Sequence, residues 1–137
     1  MALGEIISEV RGQVTSTKIC PFDSAGQGVK YEVTVTAEHR GRLSGREVGT
    51  GYFVFAPDGT GKGTAYSVLT TSTGETVLIE EWGMSVPLGP GRRRTRTTVT
   101  FRTTSERLAW LNTTIGAFEA ESDLSTMEIV GKNYEWV

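Results

Sequence analysis

The stretch Tyr31-Glu32-Val33-Thr34-Val35-Thr36-Ala37-Glu38-His39 decides the fold class. Tyr31, Val33, Val35, Ala37 and His39 fall on one side, while Glu32, Thr34, Thr36 and Glu38 fall on the other. That two-residue period describes a strand with a core-like face and a wet face. The same alternation recurs along the chain and helical periodicity is almost absent, so the sequence reads as a series of antiparallel strands. Upstream, a strand covers residues 5–17 with a bulge expected at Gly12, and a loop at 19–27 carries Pro21, Asp23 and Gly26. Downstream, strands are expected over 41–48 and through 52–55, where Pro57-Asp58-Gly59 turns the chain. Further strands follow over 63–71, 75–84, 98–102, 113–121 and 127–136. Pro87-Leu88-Gly89-Pro90-Gly91 reads as a loop leading into Arg92, Arg93, Arg94 and Arg96. Residues 105–112 alone could form a helical turn, with Ser105 as its N-cap.

Composition agrees. The 137 residues include 20 threonines, 13 valines and 17 glycines, the β-branched and turn-forming types that all-β folds use. The length fits one domain able to hold a core without disulfides or a structural metal. One cysteine, Cys20, and one histidine, His39, leave no Cys/His cluster of the kind zinc, iron–sulfur and most haem sites need. No apolar run approaches the roughly 20 residues that span a bilayer, and residues 1–4 lack the features of a signal peptide, so a reducing cytoplasm is expected. A net charge of -2 argues against a general nucleic-acid binder. Eight or nine sequential strands joined by short turns predict a closed up-and-down β-barrel, because closure removes exposed sheet edges. An immunoglobulin-like sandwich is the competing architecture, disfavoured by the missing Cys…Trp…Cys pattern.

The segments Thr64-Ala65-Tyr66-Ser67-Val68-Leu69-Thr70-Thr71, Gly74-Glu75-Thr76-Val77-Leu78-Ile79 and Phe101-Arg102-Thr103-Thr104 carry a resemblance, together with Leu108-Ala109-Trp110-Leu111-Asn112. They resemble the small bacterial calycin-like β-barrels grouped as domain of unknown function 3237. Members of that family carry a Gly-Gly-Asp-Trp-like segment where this chain has Gly49-Thr50-Gly51-Tyr52. The resemblance implies a closed antiparallel barrel and leaves the activity open. Size and strand order are more distantly similar to allene-oxide-cyclase-like barrels, whose dry cavity guides isomerisations and cyclisations.

For chemistry, the chain offers no Gly-x-Ser-x-Gly elbow, and Cys20 in its loop reads as an incidental thiol. Gly59-Thr60-Gly61-Lys62-Gly63-Thr64 superficially resembles a phosphate loop but lacks its spacing and its helix, so a hairpin tip is expected. The arginine cluster could clamp an oxyanion or be solvated charge. His39 could be an interior general base or an exposed strand-end histidine. Glu80 and Glu81 lie on opposite faces of one strand, so whichever face is interior brings a carboxylate with it, its pKa raised by desolvation. The candidate catalytic residues are therefore Glu80, Glu81, His39 and Tyr66. Candidate substrate-binding residues are Tyr31, Tyr52, Phe53, Phe55, Trp82, Arg102, Trp110, Asn112, Glu119 and Tyr134. The function expected is a cofactor-independent isomerase, cyclase or dehydratase acting on a small apolar or aromatic metabolite, with no metal. A binding barrel without chemistry and an oligomeric barrel with a filled interior are the alternatives. The partners expected are the small ligand and a second copy of the chain, and neither nucleic acid nor membrane.

Overall fold

The computed structural model describes residues 2–22 and 28–137. Eight strands follow in order: β1 (Leu3–Ile19), β2 (Val29–Gly41), β3 (Gly45–Phe55), β4 (Gly61–Thr70), β5 (Thr76–Gly89), β6 (Arg92–Arg102), β7 (Ile115–Asp123) and β8 (Glu128–Trp136). Each pairs antiparallel with the next, and β1 pairs with β8 to close the barrel. The helical turn expected before β7 is a 3₁₀ turn, Ala109–Thr113, whose N-cap is Leu108 and not Ser105; Ser105 Oγ accepts the Leu108 N–H at 3.3 Å just ahead of it. It is far too short to cross a membrane, and no other helix is present among the described residues.

Three local expectations about the strands need correcting. The strands expected at 41–48 and 52–55 are one strand, because Gly49 and Gly51 pair regularly with Ser67 and Ala65. Pro87, Leu88 and Gly89 extend β5 instead of leaving it; Pro87 sits beside a register irregularity, where a missing N–H disturbs little, and the chain reverses only at Pro90-Gly91. Gly12 is no bulge, since it lies in register with Ala37 and Ile129. A Cβ there would stand 2.8 Å from the Thr36 carbonyl oxygen, so close approach of β2 explains the glycine. The register shifts of β1 fall between Val14 and Ser16, between Leu3 and Ile6, and between Ile6 and Ser8. The loop residues Asp23 and Gly26 lie outside the described residues.

One end of the barrel is plugged. Ile7, Leu43, Leu69, Val77, Ile79, Val99 and Phe101 pack there against Leu108 and Leu111 of the 3₁₀ segment. Burying such side chains contributes roughly 1.5–3 kcal/mol each. Towards the other end, glycines on β4 make room for aromatic rings of β3. A Cβ at Gly63 would meet the Phe53 ring at 2.7 Å, and one at Gly61 would meet the Phe55 ring at 2.5 Å, so both rings lie across bare backbone. The plug and the glycine-lined half together leave the barrel closed at one end and hollow at the other.

Candidate functional site

The hollow half encloses a cavity of about 480 Å³, within the range of small-molecule sites. Its walls are mostly apolar: Tyr31, Val33, Val35, Phe53, Phe55, Phe118, Met127 and Ile129. Tyr31 meets Phe55 edge to face with ring centres 5.2 Å apart, and Phe53 lies 6.2 Å from Phe55. Strand parity explains the placement, since the apolar face of β2 points inward with His39 at its closed end.

Between this cavity and the plug lies a layer of polar groups. His39 Nε2 donates to Glu47 Oε1 at 2.6 Å, and Nδ1 shares a hydrogen with Ser8 Oγ at 2.9 Å. Asn133 Nδ2 donates to the same Ser8 oxygen at 3.3 Å. Ser8, His39, Glu47 and Asn133 are all buried. The bulge at Ile6–Ser8 is what turns both Ile7 and Ser8 inward. Glu47 and Glu81 both face the cavity, and Thr97 Oγ1 donates to Glu81 Oε1 at 2.8 Å.

The two carboxyls are tuned in opposite directions. Burial raises the Glu81 carboxyl to about 7, with a further push from the negative charge of Glu47, and the single bond from Thr97 offsets only part of this. Burial would raise Glu47 as well, but the hydrogen bond and attraction of His39, helped by the Ser67 hydroxyl, hold it below the ordinary carboxylate range. Glu81 faces the cavity from the inner side of the barrel wall and is only partly exposed. One group therefore exchanges a proton near neutrality, and the other stays ionised.

The remaining candidates from the sequence do not converge on this cavity. Glu80 points outward and lies 3.7 Å from Arg102, which is itself exposed. Tyr66 and Trp82 are 52% and 65% exposed on the outer face, and Tyr52 packs edge to face on Tyr66 at 6.4 Å. Glu119 stands outside, 4.0 Å from Arg94, and Tyr134 lines an outer groove with Trp82. Parity is the common reason: each is one residue out of step with the inward set. Trp110 and Asn112 sit at the plugged end. Arg42 stacks on the Trp110 ring at 4.2 Å, and Asn112 bonds both backbone groups of Thr103, at 2.8 and 3.0 Å. They fasten the plug and lie across the core from the cavity.

Glu47, Ser8, Ser67, Asn133 and Thr97 were not singled out from the sequence. The alternation Glu47-Gly49-Gly51-Phe53-Phe55 would have revealed Glu47 once β3 was read as a single strand. No group of three or more His, Cys, Asp or Glu side chains among the described residues converges as metal ligands.

No protein-family model and no curated protein matches the sequence. Solved structures do share its fold. A protein of unknown function from Clostridium acetobutylicum superposes with a TM-score of 0.82 and 19% identity over 96% of both chains. A β-barrel-like protein from Acinetobacter baumannii gives 0.83 and 16% identity, over 98% of this chain and 94% of that one. An enzyme from Penicillium herquei gives 0.65 and 18% identity, over 98% of this chain and 97% of that one.

Proposed function

We propose that the barrel is a cofactor-independent enzyme that moves protons on a small apolar or aromatic molecule held in the cavity, of isomerase, cyclase or dehydratase type. The carrying observation is the pair of oppositely tuned carboxyls, Glu81 and Glu47, facing one apolar cavity. Glu81 gives or takes the proton, since a group titrating near working pH is the most effective acid–base catalyst. Glu47 supplies a fixed negative charge that favours developing positive charge and keeps a proton on Glu81. His39 is a positioning residue that holds Glu47 ionised and in place, braced by Ser8 and Asn133. The fold shared with an enzyme from Penicillium herquei is compatible with this reading. Membership of the calycin-like family, which residues 41–136 resemble, and a cytoplasmic setting belong to the same proposal.

The test uses 5-nitrobenzisoxazole, a flat aromatic probe whose N–O bond breaks when a base removes the neighbouring ring proton, releasing a coloured phenolate. The wild-type rate is expected to rise with pH through about 7 as Glu81 ionises. Glu81→Gln should lower it by about 10²-fold or more. A wild-type rate no greater than that of the Gln variant would leave the non-catalytic binding barrel as the better reading.

A second copy of the chain is proposed to cover the outer face of β3–β5. Val48, Val68 and Leu78 lie in register there across three strands, with Trp82 further along β5 on the same face, and all are exposed. Sedimentation of the 14.9 kDa chain should show twice that mass, and Trp82→Glu should return it to the monomer. A monomeric wild type removes this part of the proposal.

A further inference from the structure

Of the cluster Arg92–Arg96, one member is set apart from the others. Arg92 pairs with Glu121 and Arg94 lies 4.0 Å from Glu119, both on the outer surface. Arg93 has the opposite parity and lines the cavity, and it is the only cationic side chain among the described lining residues. Its guanidinium is held in a fixed pose. Nε donates to Ser85 Oγ at 2.8 Å, and one terminal nitrogen donates to the carbonyls of Gly59 at 2.5 Å and Ser85 at 3.1 Å. The guanidinium carbon stands 4.6 Å from the centre of the Phe55 ring.

These contacts are all to neutral oxygens. No carboxylate lies within ion-pair distance of Arg93 among the described residues. The other terminal nitrogen, Nη1, has no hydrogen-bond partner among them, so two N–H donors remain to be satisfied. Asp123 also lines the cavity, but its Oδ1 accepts from Ser125 N at 2.8 Å and Ser125 Oγ at 2.6 Å. A partly buried, rigidly held guanidinium without a counter-charge is a site for an anion, since charge-assisted bonds to an oxyanion are the strong ones. Phe55, Phe53 and Tyr31 continue the same wall and offer ring faces and edges. Ser85, to which the guanidinium is tied, lies four residues beyond Glu81 on β5. That is about 13 Å along the strand, and less along the axis of a tilted barrel.

We propose that the cavity takes a ring-bearing anion, an aromatic carboxylate or phenolate, whose oxygen is bound by Arg93 at the mouth while its rings run along the aromatic wall toward Glu81. This rests on the cavity being a small-molecule site, as proposed above, and adds the charge of the molecule and the residue that reads it.

Calorimetric titration of the full chain with 2-naphthoate and with its uncharged isostere 2-naphthamide tests it, at about pH 6, where the naphthoate is ionised and Glu81 is largely protonated. The naphthoate is expected to bind about tenfold more tightly than the amide. Arg93→Gln should remove that preference, lowering naphthoate affinity far more than naphthamide affinity, and Arg93→Lys should keep part of it. Equal affinities in the wild type would overturn the role of Arg93 and leave the cavity as a ligand site. Binding of neither molecule would remove the cavity reading and this proposal with it. An Arg93→Gln variant that loses both ligands equally would show that Arg93 only ties Gly59 to Ser85. The wild-type preference needs no variant, so a poorly folding substitution does not shield the proposal.

Discussion

Glu81→Gln is expected to raise the stability of the barrel above neutral pH and to change it little below about pH 4.5. The wild-type carboxyl titrates near 4.5 in the unfolded chain and at about 7 in the barrel. Between those values the folded state holds a proton that the unfolded state has released, so raising the pH draws stability away. The loss is complete above pH 7, and below 4.5 both states are protonated and the group contributes nothing. At about 1.4 kcal/mol per pKa unit, the ionised form costs about 3 kcal/mol in a dry cavity, and less where cavity water solvates it. For a domain of this size that is a melting shift of roughly 10 °C. Glu47 works in the opposite sense: its lowered pKa stabilises the fold above 4.5, and that contribution is lost only on further acidification. Across the window from 4.5 to 7 the difference between wild type and variant therefore reports Glu81, because the other titrating groups are present in both. Thermal melts across it should converge for wild type and variant at the acid end and separate at the alkaline end. Parallel curves would mean that Glu81 is not desolvated, and its assignment as proton carrier would go with that. The same experiment bears on catalysis, because a variant that is more stable and slower cannot owe its slowness to misfolding.

Gly83→Ala is expected to be among the most damaging additions of a single methyl group. A Cβ at Gly83 would stand 2.1 Å from the Arg96 carbonyl oxygen and 2.7 Å from the Thr97 Cα. Both atoms are backbone of β6, which cannot swivel aside as a side chain would, so β5 and β6 must separate where they carry Glu81 and Thr97. A loss of about 3 kcal/mol or more, or insoluble protein, should follow. Gly74→Ala makes the contrast. Gly74 has φ of +85° in an open turn with nothing within 4 Å of an added Cβ, so only backbone strain of about 1–2 kcal/mol is at stake. Denaturant melts of the two variants should differ clearly, and equal midpoints would mean that β5 and β6 have slack at Gly83.

The fold was legible in the sequence because β2 alternates cleanly and because eight strands in meander order have few ways to avoid open edges. The site was half legible. His39 follows from parity on β2, whereas β5 is apolar on both faces, with Val77 and Ile79 on one and Leu78 and Trp82 on the other, so parity offers Glu80 and Glu81 equally and only closure of the barrel selects Glu81. On β3 the signal inverts. The inner face there reads Glu47, Gly49 and Gly51, whereas the outer face carries Val48, Thr50, Tyr52 and Val54. Glycine contributes no hydrophobicity, so the wet side looks like the core, and the glycines suggest a break between two strands. The same outward apolar face drew Tyr52, Tyr66 and Trp82 into the expected cavity. Ser8 was hidden for another reason: only a bulge brings it inward beside Ile7, and a bulge shifts the parity on which the reading depends. Arg93 was visible as one of a cluster, but its neighbours share its charge and not its direction.

The bond between Asn133 and Ser8 joins residues 125 positions apart, across the seam where β8 meets β1. During synthesis the first strand must therefore wait for the last before the barrel can close. Until then β1 and the most recently made strand offer unpaired edges, the condition in which β-proteins are most prone to misassembly. The support for His39 is completed in the same event as the seam. A chain that lacks β8 cannot carry the Asn133–Ser8 support of His39, so any chemistry proposed for the cavity would begin only once β8 is in place and the wall is continuous.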